Sequence, residues 1–288
     1  MNVPVIQAEA LAATPLAPGE QAHFFAAARF PGLDCLNARF STHAYALHTH
    51  ETYVVGVIAA GCETWTARGR RHFAGPGDFA FNNPLDVHDG RPLSGEGYAY
   101  RMSYPTVEFM REIASGLAGR EVAETPFFPN AVVHDPEGAA LFAAAHAALE
   151  AGEDDLAGEE LLTRAYALVL VRHAKLAEVP FARCRVGVAR ARALIEERYA
   201  EDLLLGDLAV AAGLSRHHLV RAFRQEIGLT PHAYIVDTRV RRAQDRLRHG
   251  EAPASVAAAV GFADQAHLTR AFKARLGVGP GAYRKAIA

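Results

Sequence analysis

The chain is poor in several residue types, and each scarcity excludes something. Cysteine occurs three times in 288 residues, as Cys35, Cys62 and Cys184. An odd, widely spaced set makes neither a disulfide framework nor a thiolate zinc site. A reducing cytoplasm is the expected location. Long apolar runs are missing. No stretch free of Asp, Glu, Lys and Arg exceeds 12 residues, whereas a membrane helix needs about 20. No membrane partner is therefore expected. Basic residues are absent from the start, the first being Arg29, so a signal peptide is not expected either. No Ser–His–Asp, Cys–His or P-loop arrangement suggests an enzyme active site.

What is present is split by charge. Residues 186–288 hold 16 Lys and Arg against 10 Asp and Glu, while residues 1–185 hold 14 against 22. A basic part beside an acidic part points to a nucleic-acid partner for the basic one. Arginine outnumbers lysine 27 to 3, so genome composition contributes to this split. At this length two domains are expected, each with its own core.

The strongest pattern lies in Leu205–Tyr283, which says one thing twice. Ala209, Gly213-Leu214-Ser215, Leu219, Arg221, Phe223, Gly228, Pro231 and Tyr234 form the first copy. Ala257, Gly261-Phe262-Ala263, Leu268, Arg270, Phe272, Gly277, Pro280 and Tyr283 form the second. From Leu219 and from Leu268 the onward spacings are identical. Ser215 and Asp264 each stand four residues before that leucine, as helix N-caps. Two helix–turn–helix units explain the repeat. Thr230-Pro231 opens the helix between them, which runs to about Arg248. At 18 residues it spans roughly 27 Å. Two groove-reading helices on one DNA face stand about 34 Å apart, and a stiff connector of this length suits that separation. Leu219 and Phe223 face inward, leaving Arg216, His217, Val220, Arg221 and Arg224 outward. In the second copy Gln265, Ala266, Thr269, Arg270 and Lys273 face out.

Residues 23–104 read as β-structure. Phe40–His48, Tyr53–Ile58, Phe79-Ala80-Phe81 and Tyr98-Ala99-Tyr100 alternate between turn signals such as Gly75-Pro76-Gly77-Asp78 and Asn82-Asn83-Pro84. Many short strands at this spacing predict a barrel or sandwich. His48-Thr49-His50 puts two imidazoles on one strand face, and His88 follows beyond the Gly-Pro-Gly-Asp turn. Residues 106–177 turn helical, with Leu141, Ala144, Ala145, Ala148 and Leu149 on one apolar face and a second helix over 161–172. Residues 1–22 read as a loose lead-in. Glu178–Val186 carries a proline and no period. The organisation read here is a β domain over 1–177, a linker over 178–186 and a helical domain over 187–288.

These motifs resemble a known family. His48-x-His50, the Pro76-Gly77-Asp78 turn and His88 resemble a cupin barrel. His48, His50, Tyr53 and Gly56 together look like the sensing domain of AraC/XylS-type regulators, over roughly 80 residues. The string from Gly261 to Arg284 is similar to the DNA-binding domain of the same family, except that Gly279 stands where a capping Ser or Thr is common. The resemblance implies an N-terminal all-β cupin-like barrel with packed helices and a C-terminal all-α double helix–turn–helix. It implies a ligand-responsive, sequence-specific regulator, more often an activator, with double-stranded DNA and a small effector as partners. RNA polymerase and a second copy of the chain are further implied partners, the latter through residues 106–177. Base contacts would come from Arg216, His217, Val220 and Arg221, and from Gln265, Ala266, Thr269 and Arg270. Arginine can pair with guanine and glutamine with adenine.

The barrel histidines admit two readings. A metal-dependent cupin enzyme with a helical appendage would add a glutamate a few residues after His50, whereas Glu51 follows at once and on the opposite strand face. The expectation is therefore a small-molecule pocket lined by His48, His50, Tyr53, Trp65, His88, Tyr100 and Arg101, with no cofactor and no metal. A constitutive DNA-binding protein with a vestigial barrel is a third reading.

Overall fold

Glycine and proline punctuate the N-terminal half into short strands, and the computed structural model shows how they pair. It describes residues 16–27, 29–152, 155–174, 176, 184–276 and 278–287. Most of the expected lead-in, and residues 178–183 of the expected linker, lie outside these. The chain divides into two units, Met1–Val179 and Pro180–Ala288.

In the first unit the strands, in chain order, are β1 (Gln21–Ala26), β2 (Leu33–Phe40), β3 (Tyr45–His48), β4 (Val54–Gly61), β5 (Glu63–Ala67), β6 (Arg70–Ala74), β7 (Asp78–Asn82), β8 (His88–Pro92), β9 (Tyr98–Pro105) and β10 (Val132–His134). They form two sheets, ordered β1-β2-β9-β4-β7-β10 and β3-β8-β5-β6. The expected barrel is thus two facing sheets rather than one closed ladder. Gly75-Pro76-Gly77 carries the chain from one sheet to the other, and proline lacks the N–H that a continuing ladder would need. The run Phe40–His48 is also not one strand: it breaks between β2 and β3. Three helices follow: α1 (Val107–Ala118), α2 (Pro136–Ala151) and α3 (Asp155–His173).

The six-stranded sheet is covered on both faces, so the parity of each residue decides its surroundings. Leu36, Ala38, Phe40, Val54, Ile58, Ala80, Tyr98, Tyr100, Met102 and Tyr104 turn toward the four-stranded sheet and pack with Trp65, Ala67 and Ala74. Leu33, Cys35, Tyr53, Val55, Val57, Phe79 and Phe81 turn the other way and pack with Phe109, Phe142 and Tyr166 of the helices. Gly56 sits where β4 meets β9. A methyl group there would overlap the Met102 sulfur, so the closeness of those two strands depends on its absence.

The buried face of α2 is Gly138, Ala139, Phe142, Ala145 and His146. It is turned from the expected one, and Ala144 is exposed. His146 belongs to a polar network: its Nε2 donates to Met102 O at 3.0 Å, and Arg101 reaches both its Nδ1 and Glu150. Choosing the face by apolarity alone misplaces it, because a satisfied histidine can be core.

Among the described residues the regular structure of the second unit is all helix: α4 (Arg185–Arg198), α5 (Leu205–Ala212), α6 (Arg216–Ile227), α7 (Pro231–Arg248), α8 (Pro253–Ala259), α9 (Gln265–Leu276) and α10 (Pro280–Ile287). The caps follow the sequence. Gly213 ends α5 at φ 66° in the left-handed region, and Ser215 accepts from His218 N. Thr230 accepts from Ala233 N ahead of Pro231. Asp264 accepts from His267 N at 2.6 Å.

The duplication is visible in space. Phe223 meets Tyr234 edge-on at 5.5 Å and 66°, and Phe272 meets Tyr283 at 5.3 Å and 69°. Val236, Val240, Ala243 and Leu247 of α7 build the second copy's core with Phe262, Leu268 and Phe272. Gly261 has φ 88°, and a methyl group on it would fall 2.6 Å from Ala200 O. Glycine there lets α8 turn into α9 directly against the end of α4.

Candidate functional site

Two sites emerge, one in each unit. The first lies between the two sheets. Tyr45, His48, His50, Glu63, Trp65, Asn82, His88, Tyr100 and Tyr104 line it with Val54, Ala80 and Met102. Of the expected pocket residues, His48, His50, Trp65, His88 and Tyr100 meet there. Tyr53 and Arg101 do not, and the reason is parity. Tyr53 is fully buried on the helix side, where its hydroxyl donates to Pro126 O. Arg101 points to the same side, with Nη1 2.6 Å from Glu150 Oε2.

The histidines converge. One ring nitrogen from each of His48, His50 and His88 lies within 4.8 Å of the others. His48 closes β3 and pairs with His88 of β8. His50 lies past the end of β3, so it reaches the cluster from a loop and not by strand alternation. The loop before His88 is pinned by Asn83. The Asn83 side-chain amide donates to Phe128 O at 3.1 Å, and its oxygen accepts from Phe128 N at 2.9 Å. Burial pushes His88 down to about 4, the nearby His48 adding to that effect. His88 is therefore neutral at pH 7.

Reading the sequence missed Glu63, Asn82, Tyr45 and Tyr104. Two of them carry a parity signal: Glu63 is two residues from Trp65 and Tyr104 four from Tyr100. Glu63 is the most informative. Burial raises its carboxyl to about 8, against the Tyr98 hydroxyl that donates to it at 3.5 Å. Glu63 Oε2, Trp65 Nε1 and Asn82 Oδ1 are buried without a hydrogen-bond partner. A buried unpaired polar atom costs about 1–3 kcal/mol. Three lining one pocket mark a place built for a polar occupant.

The second site is the pair of helices α6 and α9. On α9, Gln265, Ala266 and Arg270 are exposed and Thr269 half-buried, facing out as expected. On α6 the expectation needs correcting. Arg221 is half-buried, but His217 and Val220 are only 9 % and 3 % exposed. The Arg216 guanidinium lies back against Gly206. His218, Arg224 and Gln225 are more open, the last two exposed. Helical period alone puts Val220 outward, and burial outside the helix's own periodicity cannot be read from it.

Two stretches of the chain match known domain families. An AraC-like ligand binding domain matches residues 30–166, and a helix-turn-helix domain matches residues 208–286. An uncharacterized HTH-type transcriptional regulator, YbfI of Bacillus subtilis, is 30 % identical over 224 residues, covering 76 % of this chain and 80 % of that protein. The chain belongs to the AraC family of transcriptional regulators. It joins a ligand-binding domain to a helix–turn–helix DNA-binding domain, which favours the regulator over the metal-dependent enzyme. The HTH-type transcriptional activator RhaS of Klebsiella pneumoniae is 32 % identical over 101 residues, 35 % of this chain and 36 % of that protein. Among solved structures, the DNA-binding domain of the global transcriptional factor AdpA in complex with a target DNA is 32 % identical. It covers 35 % of this chain and 91 % of that one, with a TM-score of 0.34. No helix among the described residues is long and apolar enough to cross a membrane.

Proposed function

We propose that this chain is a cytoplasmic, non-enzymatic activator whose DNA binding answers to a small polar effector held between its two sheets. The observation that carries the effector site is the meeting of three unpartnered buried polar atoms, on Glu63, Trp65 and Asn82, in one pocket. A protonated Glu63 and the Trp65 N–H offer hydrogen-bond donors, and Asn82 Oδ1 offers an acceptor. Tyr100 and Tyr104 supply apolar walls. The occupant that fits is small, polar and able both to donate and to accept. Residues 1–177 sense, residues 178–186 link, and residues 187–288 read DNA.

Arg221 and Arg270, at equal register in the two copies, lead the base contacts in this reading. Arg216, Gln265, Ala266 and Thr269 join them. His217 and Val220 enter by register alone, as counterparts of Ala266 and Thr269. Activation is supported by the RhaS relatives, which are HTH-type transcriptional activators. In this reading the partners are double-stranded DNA, RNA polymerase at the promoter and a second copy of the chain.

The test is selection of bound genomic fragments by the purified chain. A shared motif should emerge. Arg221→Ala and Arg270→Ala should each relax preference by about 1–3 kcal/mol at one base position. Equal loss on selected and random DNA would overturn the base-reading role. A small-molecule screen on the selected fragment then reports the effector. DNA binding that no compound changes would favour the constitutive reading.

A further inference from the structure

We propose that His48, His50 and His88 hold a divalent transition-metal ion, which forms one wall of the sensing pocket. The inference rests on the reading of that pocket as the effector site. Sequence spacing argued against a metal because no glutamate follows His50 at the interval a catalytic cupin uses. The structure supplies a different argument, from geometry and tautomers.

The three rings are already gathered, with centroids 4.5, 4.7 and 5.1 Å apart. His48 Nε2 and His50 Nε2 are 3.1 Å apart. Zinc–imidazole bonds of 2.0–2.1 Å in tetrahedral geometry place ligand nitrogens about 3.3 Å from each other. One pair therefore stands near ligand spacing, and the widest gap, 4.8 Å, closes by roughly 1.5 Å to reach that spacing. Small side-chain rotations cover such a distance.

The outer hydrogen bonds fix which nitrogens face inward. His48 Nδ1 lies 2.7 Å from Ala46 O, and His88 Nδ1 lies 2.8 Å from Asp86 O. A carbonyl oxygen only accepts, so both Nδ1 atoms carry the proton. In that tautomer the lone pair available to a ligand is on Nε2. Backbone carbonyls that lock the far nitrogen in this way are the usual supports of metal-bound histidine. Two Nε2 lone pairs beside a third imidazole form a concentration of acceptors, with His50 and His88 buried and His48 half-buried. A cation satisfies all three at once, whereas a single shared proton satisfies two.

Three imidazoles without thiolate suit zinc, nickel, cobalt, copper or ferrous iron, and not magnesium or calcium. Three protein ligands also leave coordination positions open. An oxygen donor on the effector would complete them, so the ligand class narrows to small molecules bearing a carboxylate, hydroxyl or similar group.

The experiment uses the full chain, stripped with a chelator, dialysed and titrated with Co²⁺ and then Zn²⁺. One ion per chain should bind, with visible Co²⁺ absorption. His50→Gln and His88→Gln should each weaken binding by at least about tenfold. His134→Gln, on β10 outside the cluster, should not. A variant that fails to fold is replaced by a measurement on the unaltered protein. Co²⁺-shifted imidazole N–H resonances count the ligands directly, with His48 and His88 each contributing an Nδ1–H. Absence of stoichiometric binding at micromolar metal, or binding indifferent to all three histidines, overturns the proposal. Fragment selection by the stripped protein keeps the two readings apart. Selective DNA binding without metal binding removes only the ion. Metal binding without selective DNA binding removes the regulator reading instead.

Discussion

Glu63 makes the stability of the sensing unit depend on pH in a way that can be separated from every other group. Its carboxyl is fully enclosed and raised by burial to about 8. In the unfolded chain it returns to the ordinary value near 4.5. Between these values the folded state holds a proton that the unfolded state has released, so stability falls as pH rises through that interval. The opposing groups act lower. Burial pushes His88 and His146 down to about 4, so they cost stability only as pH drops below the free imidazole value of about 6.5. Cys35, pushed up by burial to about 12, and Cys62, raised likewise, matter as pH approaches the free thiol value of 9.0. The window from pH 7 to 8 therefore reports chiefly Glu63. From pH 7 to 8 the folded carboxyl goes from mostly to half protonated, so the loss amounts to about 1 kcal/mol. The assay is urea unfolding of chelator-treated protein followed by Trp65 emission. Trp65 is the sole tryptophan and sits in the same pocket, so its signal belongs to this unit alone. The wild-type midpoint should fall across the window, while Glu63→Gln, which cannot ionise, should stay flat. Parallel profiles for the two proteins would refute the assignment of a buried, protonated Glu63.

Three further outcomes follow from single contacts. Gly261→Ala should destabilise the helical unit by about 2–3 kcal/mol, through left-handed strain and collision with Ala200 O; thermal melting followed at 222 nm checks this, and an unchanged midpoint would contradict the close approach. Asp264→Ala should remove the α9 cap and cost about 1 kcal/mol in the same melt, whereas the neighbouring exposed Ala263→Ser should cost nearly nothing. Tyr53→Phe should cost about 1–2 kcal/mol in the Trp65 transition by orphaning Pro126 O and leave Co²⁺ binding untouched; altered metal binding would put Tyr53 back in the pocket.

Local chemistry was legible without coordinates wherever one residue controls its own backbone. Gly213, Ser215, Thr230-Pro231 and Asp264 define helix ends through caps that need no distant partner, and the structure has each cap in place. The duplicated Leu–Arg–Phe–Gly–Pro–Tyr spacing revealed two copies of one unit because identical spacing on a helix means identical facing. His48, His50 and His88 were likewise picked out by type and turn context.

What the sequence did not determine concerned sides and neighbours. The six-stranded sheet is buried on both faces, so apolarity cannot tell its pocket face from its helix face, and Tyr53 and Arg101 went to the wrong one. His146 looks polar in the sequence, yet hydrogen bonds to Met102 and Arg101 let it lie in the core. Glu63 reads as an ordinary surface carboxylate until two sheets close over it. The sequence by itself determined the two-part plan and the duplicated helix–turn–helix, because these rest on short-range periods and caps. Only the tertiary structure decided which groups share the pocket, and that its three histidines meet, because residues as far apart as His48 and His88 become neighbours through strand pairing that no local pattern encodes.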